Sequence, residues 1–270
     1  MKSELPIGIF DSGIGGLTVA REIIDLMPNE KVIYFGDTLH LPYGEKSKEK
    51  VINYCSEICD FLLDKKCKVI VVACNTASSI AIKNIKQKVG KECIIFNVID
   101  PVIEHIKNLK RKKIGIIGTN ATINSKIYEK KITEINSEIS VYSLATPLLA
   151  PMIESGFHDA SIKKKIIATY LNHENLKSIE TLILGCTHYP LIELEINDFY
   201  KNKIPVLSSL NSIGLYIRKK LEKNNLLNKT QNVKKHEFFV SDFTTSFQKS
   251  AKSFFNNEIN LKEIHIFNEK

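Results

Sequence analysis

Short runs rich in β-branched residues alternate along this chain with longer stretches of helical period, and no other feature narrows its fold so far. The strand-like runs are LPIGIF, KVIYFG, KVIVVA, CIIFNV, KKIGIIG, TLILG, KIPVL and HEFFV. Between them lie helix-like segments over residues 17–27, 47–66, 78–89, 101–110, 122–133, 159–172 and 210–224. Strand and helix in alternation predict parallel sheets covered by helices on both faces, an α/β architecture of the doubly wound kind. A chain of 270 residues has room for two such domains of roughly 100 to 150 residues each.

An internal echo shows how the chain divides. IGIF at 7–10 runs into DSGIGG, and IGII at 114–117 runs into GTNAT, an offset of 114 − 7 = 107. VIVVACNTASS carries Cys74 and TLILGCTHYPL carries Cys186, an offset of 186 − 74 = 112. Two features repeated at nearly equal offset point to duplication of a strand–loop–helix domain. The expected division gives one lobe residues 1–97 and 208–270, and the other residues 98–207.

Both cysteines end an apolar strand and precede polar residues able to open a helix: Asn75 and Thr76 after Cys74, Thr187 and His188 after Cys186. Parallel sheets bind ligands at the carboxyl ends of their strands, where a helix amino terminus also favours a thiolate. For one such cysteine, filling the top of a core is an equally good account. Two in matching context favour chemistry. The other four, Cys55, Cys59, Cys67 and Cys93, read as small buried hydrophobes. The chain has no C-x-x-C pair, so neither a zinc site nor any other metal is expected.

Spacing tests the uses of a strand-end cysteine. A C-x5-R phosphate loop needs arginine six residues on, but positions 80 and 192 are both Ile. A single-thiol acyl transferase is served by His188 beside Cys186 but leaves Cys74 idle. The cluster Gly13, Gly15 and Gly16 has Thr18 where a dinucleotide fingerprint has its third glycine. Two thiols facing one cleft suit stereoinversion, one removing a proton from carbon as thiolate and the other returning one as thiol.

IGIFDSGIGGLTV, YFGDTLHLPYG, VVACNTASS, GTNATINSKIY and LILGCTHYPL, in that order over residues 7–191, resemble the bacterial glutamate racemases of the Asp/Glu racemase superfamily. The resemblance implies two similar α/β domains enclosing the substrate without pyridoxal phosphate, metal or other cofactor, and a D-glutamate product destined for peptidoglycan. It further implies that Cys74 abstracts the α-proton of D-glutamate and Cys186 that of L-glutamate. Asp11 and Ser12 match positions at the substrate amino group and the nearby thiol, and Asp11 and His188 match residues assisting the two thiols. Pro42, Tyr43 and Gly44 match the substrate-contacting loop. Asn75, Thr76, Thr187 and His188 match donors around the carboxylates and amine, and Thr119, Thr122 and Glu154 match further residues of the site. Thr146 stands where many relatives carry another cysteine, and Ser208 where an acidic residue often follows the late strand. A homodimer is compatible with the resemblance.

The formal charge of +8 raises nucleic acid as a partner, but lysines are scattered through KSKEK, DKKCK, NLKRKK and residues 163–165 and 218–223 without interleaved aromatics. Solvated faces account for the charge, so no nucleic acid is expected. No stretch approaches the roughly 20 apolar residues of a membrane span, and MKSELPIGIF lacks the features of a secretory signal. A cytoplasmic location with reduced thiols is therefore expected. An aspartate or related amino-acid racemase, or a two-lobed ligand-binding or nucleic-acid-associated protein without catalysis, is the alternative reading.

Overall fold

The computed structural model describes residues 2–157, 159–230, 235–255 and 259–267. Ten strands are present among them: β1 Ile7–Asp11, β2 Val32–Gly36, β3 Val69–Val72, β4 Ile94–Asn97, β5 Lys113–Gly118, β6 Ser140–Ala145, β7 Thr181–Gly185, β8 Val206–Ser208, β9 Glu237–Val240 and β10 Leu261–Glu263. They form a six-stranded sheet in the order β10-β9-β2-β1-β3-β4 and a four-stranded sheet in the order β6-β5-β7-β8. Every pairing is parallel. The α/β architecture read from the alternation is the one observed.

The order β2-β1-β3-β4 in the first sheet is repeated as β6-β5-β7-β8 in the second. Register repeats as well. Ile7 sits opposite Val32 and Val69, and Ile114 sits opposite Val141 and Thr181. The 107-residue echo therefore places equivalent residues on equivalent central strands, with β9 and β10 added beyond β2.

Both sheets are buried on both faces, which is why their strands read as continuous apolar runs rather than alternating ones. Along β3, Val69 and Val71 enter one core while Ile70 and Val72 enter the other. The helices Gly15–Leu26 and Leu210–Lys223 close the first of these cores, and Lys48–Asp64 closes the second. In the other sheet Ile114 and Ile116 face one cluster and Ile117 the opposite one. Cys55 and Cys59 lie on the inner face of the Lys48–Asp64 helix, and all six cysteines are buried free thiols.

Several helices differ in detail from the periodic segments. The expected helix at 101–110 begins earlier, as Ile99–Ile106, because Asn97 Oδ1 accepts the amides of Ile99 and Asp100 at 2.9 Å each. The segment at 122–133 splits into Asn120–Asn124 and Ile127–Ile135. Ser125 Oγ donates to Thr122 O and accepts the amide of Ile127, substituting for the helical ladder, and Lys126 takes a left-handed conformation with φ 52°. Among the described residues, no helix is long and apolar enough to cross a membrane.

Candidate active site

Cys74 follows β3 and occupies the N-cap position of the helix Asn75–Ile80, and Cys186 directly follows β7. They stand at corresponding strand ends of the two sheets. Both line a single cavity of about 380 Å³, within the size range of small-molecule sites. After Cys186 the chain does not enter an α-helix at once; a 3-10 turn at Tyr189–Ile192, with Pro190 in it, precedes the helix Glu193–Phe199.

Ten further expected site residues line this cavity beside the two cysteines: Ser12, Pro42, Tyr43, Gly44, Asn75, Thr76, Thr119, Glu154, Thr187 and His188. Asp11 and Thr122 do not reach its wall but are bonded to it from behind. Thr122 Oγ1 lies 3.0 Å from Thr119 Oγ1 and 3.4 Å from Thr76 Oγ1, and Thr76 lies 2.9 Å from Thr119, so three hydroxyls from the two sheets converge.

Asp11 is completely buried at the end of β1. Its Oδ2 accepts the amides of Gly16 at 2.7 Å and Gly13 at 3.4 Å, whereas Oδ1 has no partner among the described residues. Burial raises the carboxyl above the ordinary aspartate range, and the positive charge of His188 and the Gly16 amide oppose that rise. Ser12 Oγ is 3.6 Å from Cys74 Sγ. Burial, reinforced by the negative charge of Asp11, pushes the Cys74 thiol far up, so Cys74 is protonated at neutral pH.

Around Cys186 the charges are arranged differently. His188 Nδ1 lies 3.6 Å from Cys186 Sγ, and His188 Nε2 is bonded to the Glu154 carboxylate. Burial alone would hold the imidazole neutral; the Glu154 charge and the hydrogen bonds to Cys186 and Glu154 outweigh it, and His188 titrates well above its usual value. His188 thus bridges the Cys186 thiol and the Glu154 carboxylate.

The loops that follow β1 and β7 are in close contact. A Cβ on Gly15 would fall 2.6 Å from Thr187 Oγ1 and 2.9 Å from the amide nitrogen of His188. The Ile14 amide donates to Glu154 at 3.2 and 3.3 Å, and Tyr128 Oη donates to Asn75 Oδ1 at 2.7 Å. That last bond leaves Asn75 Nδ2, a buried donor at the cavity wall, without a partner among the described residues. The site is thus assembled jointly by the two sheets.

Further residues line the cavity that sequence reading did not single out, including Thr38, Leu41, Ser155, Thr244 and Phe247. Thr244 and Phe247 come from the carboxyl-terminal segment, where Thr244 caps the helix Thr245–Phe254 by accepting the Phe247 amide at 3.1 Å. Thr146 is fully buried and bonded to Tyr189 Oη at 2.6 Å, and the Ser208 hydroxyl is buried without a partner among the described residues.

Residues 16–212 match the profile of the Asp/Glu/Hydantoin racemase family. The chain belongs to that family. Glutamate racemase from Geobacter metallireducens is 38% identical over 254 residues, covering 94% of this chain and 93% of that protein. The crystal structure of glutamate racemase from Francisella tularensis in complex with D-glutamate superposes with a TM-score of 0.91 at 35% identity, over 98% of both chains. The RacE1 glutamate racemase isoform of Bacillus anthracis gives the same TM-score and identity over 97% of this chain and 98% of its own.

Proposed function

We propose that this protein is a glutamate racemase that interconverts L- and D-glutamate by proton transfer between Cys74, Cys186 and the substrate α-carbon, without pyridoxal phosphate or metal. The observation that carries the reading is the pair of thiols at equivalent strand ends lining one cavity. The two lobes are residues 1–97 with 208–270, and residues 98–207; each supplies one thiol, so the substrate lies between them.

From L-glutamate, Cys186 takes the α-proton as thiolate, supported by the His188 imidazolium, while Cys74 delivers a proton to the opposite face. The high affinity of Cys74 for its proton suits it to begin as the acid in this direction. From D-glutamate the roles exchange, as microscopic reversibility requires. Asp11, held behind the cavity wall by the Gly13 and Gly16 amides, positions the loop that presents Ser12 to the substrate, and Asn75 Nδ2, at the wall itself, supplies a donor for a carboxylate. Such donors stabilise the negative charge that develops when the α-proton leaves. The cluster of Thr76, Thr119 and Thr122 offers hydroxyl donors to the far carboxylate, a device that measures side-chain length. In this reading the D-glutamate supplies peptidoglycan synthesis, and the six free thiols agree with a reducing, cytoplasmic setting.

Circular dichroism of L-glutamate incubated with the protein tests this reading. The signal decays to zero with the parent, and stays constant with Cys74→Ala or Cys186→Ala. Undiminished turnover in either variant contradicts the two-thiol scheme, and decay with L-aspartate but not L-glutamate contradicts the substrate.

A further inference from the structure

The loop from Asp37 to Glu45 forms one wall of the cavity through Thr38, Leu41, Pro42, Tyr43 and Gly44, and its shape is set by a single buried carboxylate. Asp37 is completely buried at the start of the loop. It accepts Tyr43 Oη from the far end of the loop at 2.5 Å and Ser241 Oγ from the end of β9 at 2.8 Å. His40, in the middle of the loop, brings Nδ1 to 2.9 and 3.0 Å from the two Asp37 oxygens. Its ring stacks on Tyr54, with centroids 3.8 Å apart and planes 13° from parallel, and Phe267 packs edge-on against it at 4.5 Å. The imidazole is thereby held in one plane, with Nδ1 aimed at Asp37.

We propose that His40 is a positioning residue for racemisation: its Nδ1, through Asp37, fixes the Tyr43–Gly44 stretch against substrate. The inference rests on the racemase reading for its kinetic part alone. Three donors on one carboxylate tie the two ends of the loop and its middle to one point, so losing the central donor releases the turn without touching either thiol. In this proposal the loop holds the substrate alike in the ground and transition states. Its loosening therefore raises KM and leaves kcat nearly unchanged, whereas general destabilisation lowers the active fraction without moving KM.

Two variants separate the donor from the ring. His40→Phe keeps the aromatic stack and removes the donor; His40→Asn places an amide nitrogen at the position of Nδ1 and removes the ring. In His40→Phe, KM for L- and D-glutamate is expected to rise about tenfold, the scale of one hydrogen bond to a charged group, with kcat within about threefold of the parent. His40→Asn is expected to restore KM to within about threefold of the parent. Amide hydrogen exchange gives a readout independent of activity. The Glu45 and Lys46 amides, which donate to Pro42 O and Tyr43 O, should exchange about tenfold faster in His40→Phe and at the parent rate in His40→Asn. Parent-like KM and exchange in His40→Phe, or equal impairment in both variants, overturns the proposal. An inactive parent whose loop exchange still follows this pattern instead refutes the racemase reading and leaves the loop clamp standing.

Discussion

Gly44→Ala probes how closely the two lobes must approach for the site to work. A Cβ on Gly44 would lie 2.7 Å from Thr119 Cβ and 3.0 Å from Thr119 Cγ2. Non-bonded carbons rest at roughly 3.5–4.0 Å, so one side must retreat by about 1 Å. Thr119 has little freedom to do so. It caps the helix Asn120–Asn124 by accepting the Thr122 amide at 3.2 Å, and its hydroxyl is bonded to Thr76 across the cavity. The retreat therefore moves the Tyr43–Gly44 stretch relative to Thr76 and Thr119, the groups proposed to hold the far carboxylate. A displacement of about 1 Å in a positioned substrate costs on the order of 10²-fold in rate. In an achiral solvent the two enantiomers have equal free energy, so kcat/KM falls by the same factor in both directions. Circular dichroism from each enantiomer measures it, with urea unfolding as a control expected to shift by about 1–3 kcal/mol at most. A kcat/KM within about threefold of the parent would refute the reasoning, because the contact at Gly44 would then be absent from the working state.

Two other perturbations address groups outside the thiols. Glu22, on the helix Gly15–Leu26, accepts the Gly214 amide at 3.1 Å, and burial raises its carboxyl from 4.5 to about 7. A carboxyl raised in the folded state binds its proton more tightly there, so the ionised group weakens folding as pH climbs from 4.5 to above 7. Glu22→Gln should accordingly be near neutral at pH 4.5 and stabilising at pH 8, by on the order of 1 kcal/mol once solvent screening of this half-buried group is allowed for; a pH-independent difference in urea unfolding contradicts this. Tyr128→Phe removes the only donor to Asn75 Oδ1 found among the described residues. An orphaned buried acceptor costs roughly 1–3 kcal/mol, and the amide is then free to turn Nδ2 away from the cavity. KM for glutamate should rise about tenfold, and an unchanged KM would show that Tyr128 does not set the Asn75 orientation.

The central strands were legible because burial on both faces writes itself as uninterrupted Ile, Val and Leu, as in β3 and β7. β6 was not read, since Ser140–Ala145 lies at the edge of its sheet and mixes Ser and Tyr with aliphatic residues. β10, three residues long, carries no periodic signal. Helix interruptions at Ser125 and Lys126 arise from one side chain replacing a backbone bond, which hydrophobic period does not register. The same limit applies at the site. Cys74, Cys186 and their polar neighbours follow strands and could be placed by local context. Thr244 and Phe247 reach the cavity only because β9 pairs with β2, some two hundred residues earlier in the chain. The hold of His40 on Asp37 likewise depends on Tyr54 and Phe267, brought beside it by the tertiary fold.

The central claim is that two different thiols serve the two faces of one carbon, and the position of isotope early in the reaction tests it most directly. L-Glutamate is incubated with the parent in D2O, with no cofactor added, and both enantiomers are recovered after a few per cent conversion. The account predicts D-glutamate carrying deuterium at the α-carbon, because Cys74 has exchanged with solvent, while recovered L-glutamate retains its original hydrogen. Deuterium appearing equally in both pools would contradict two separate bases, and its absence from the product would contradict proton transfer with solvent-exchanged thiols altogether.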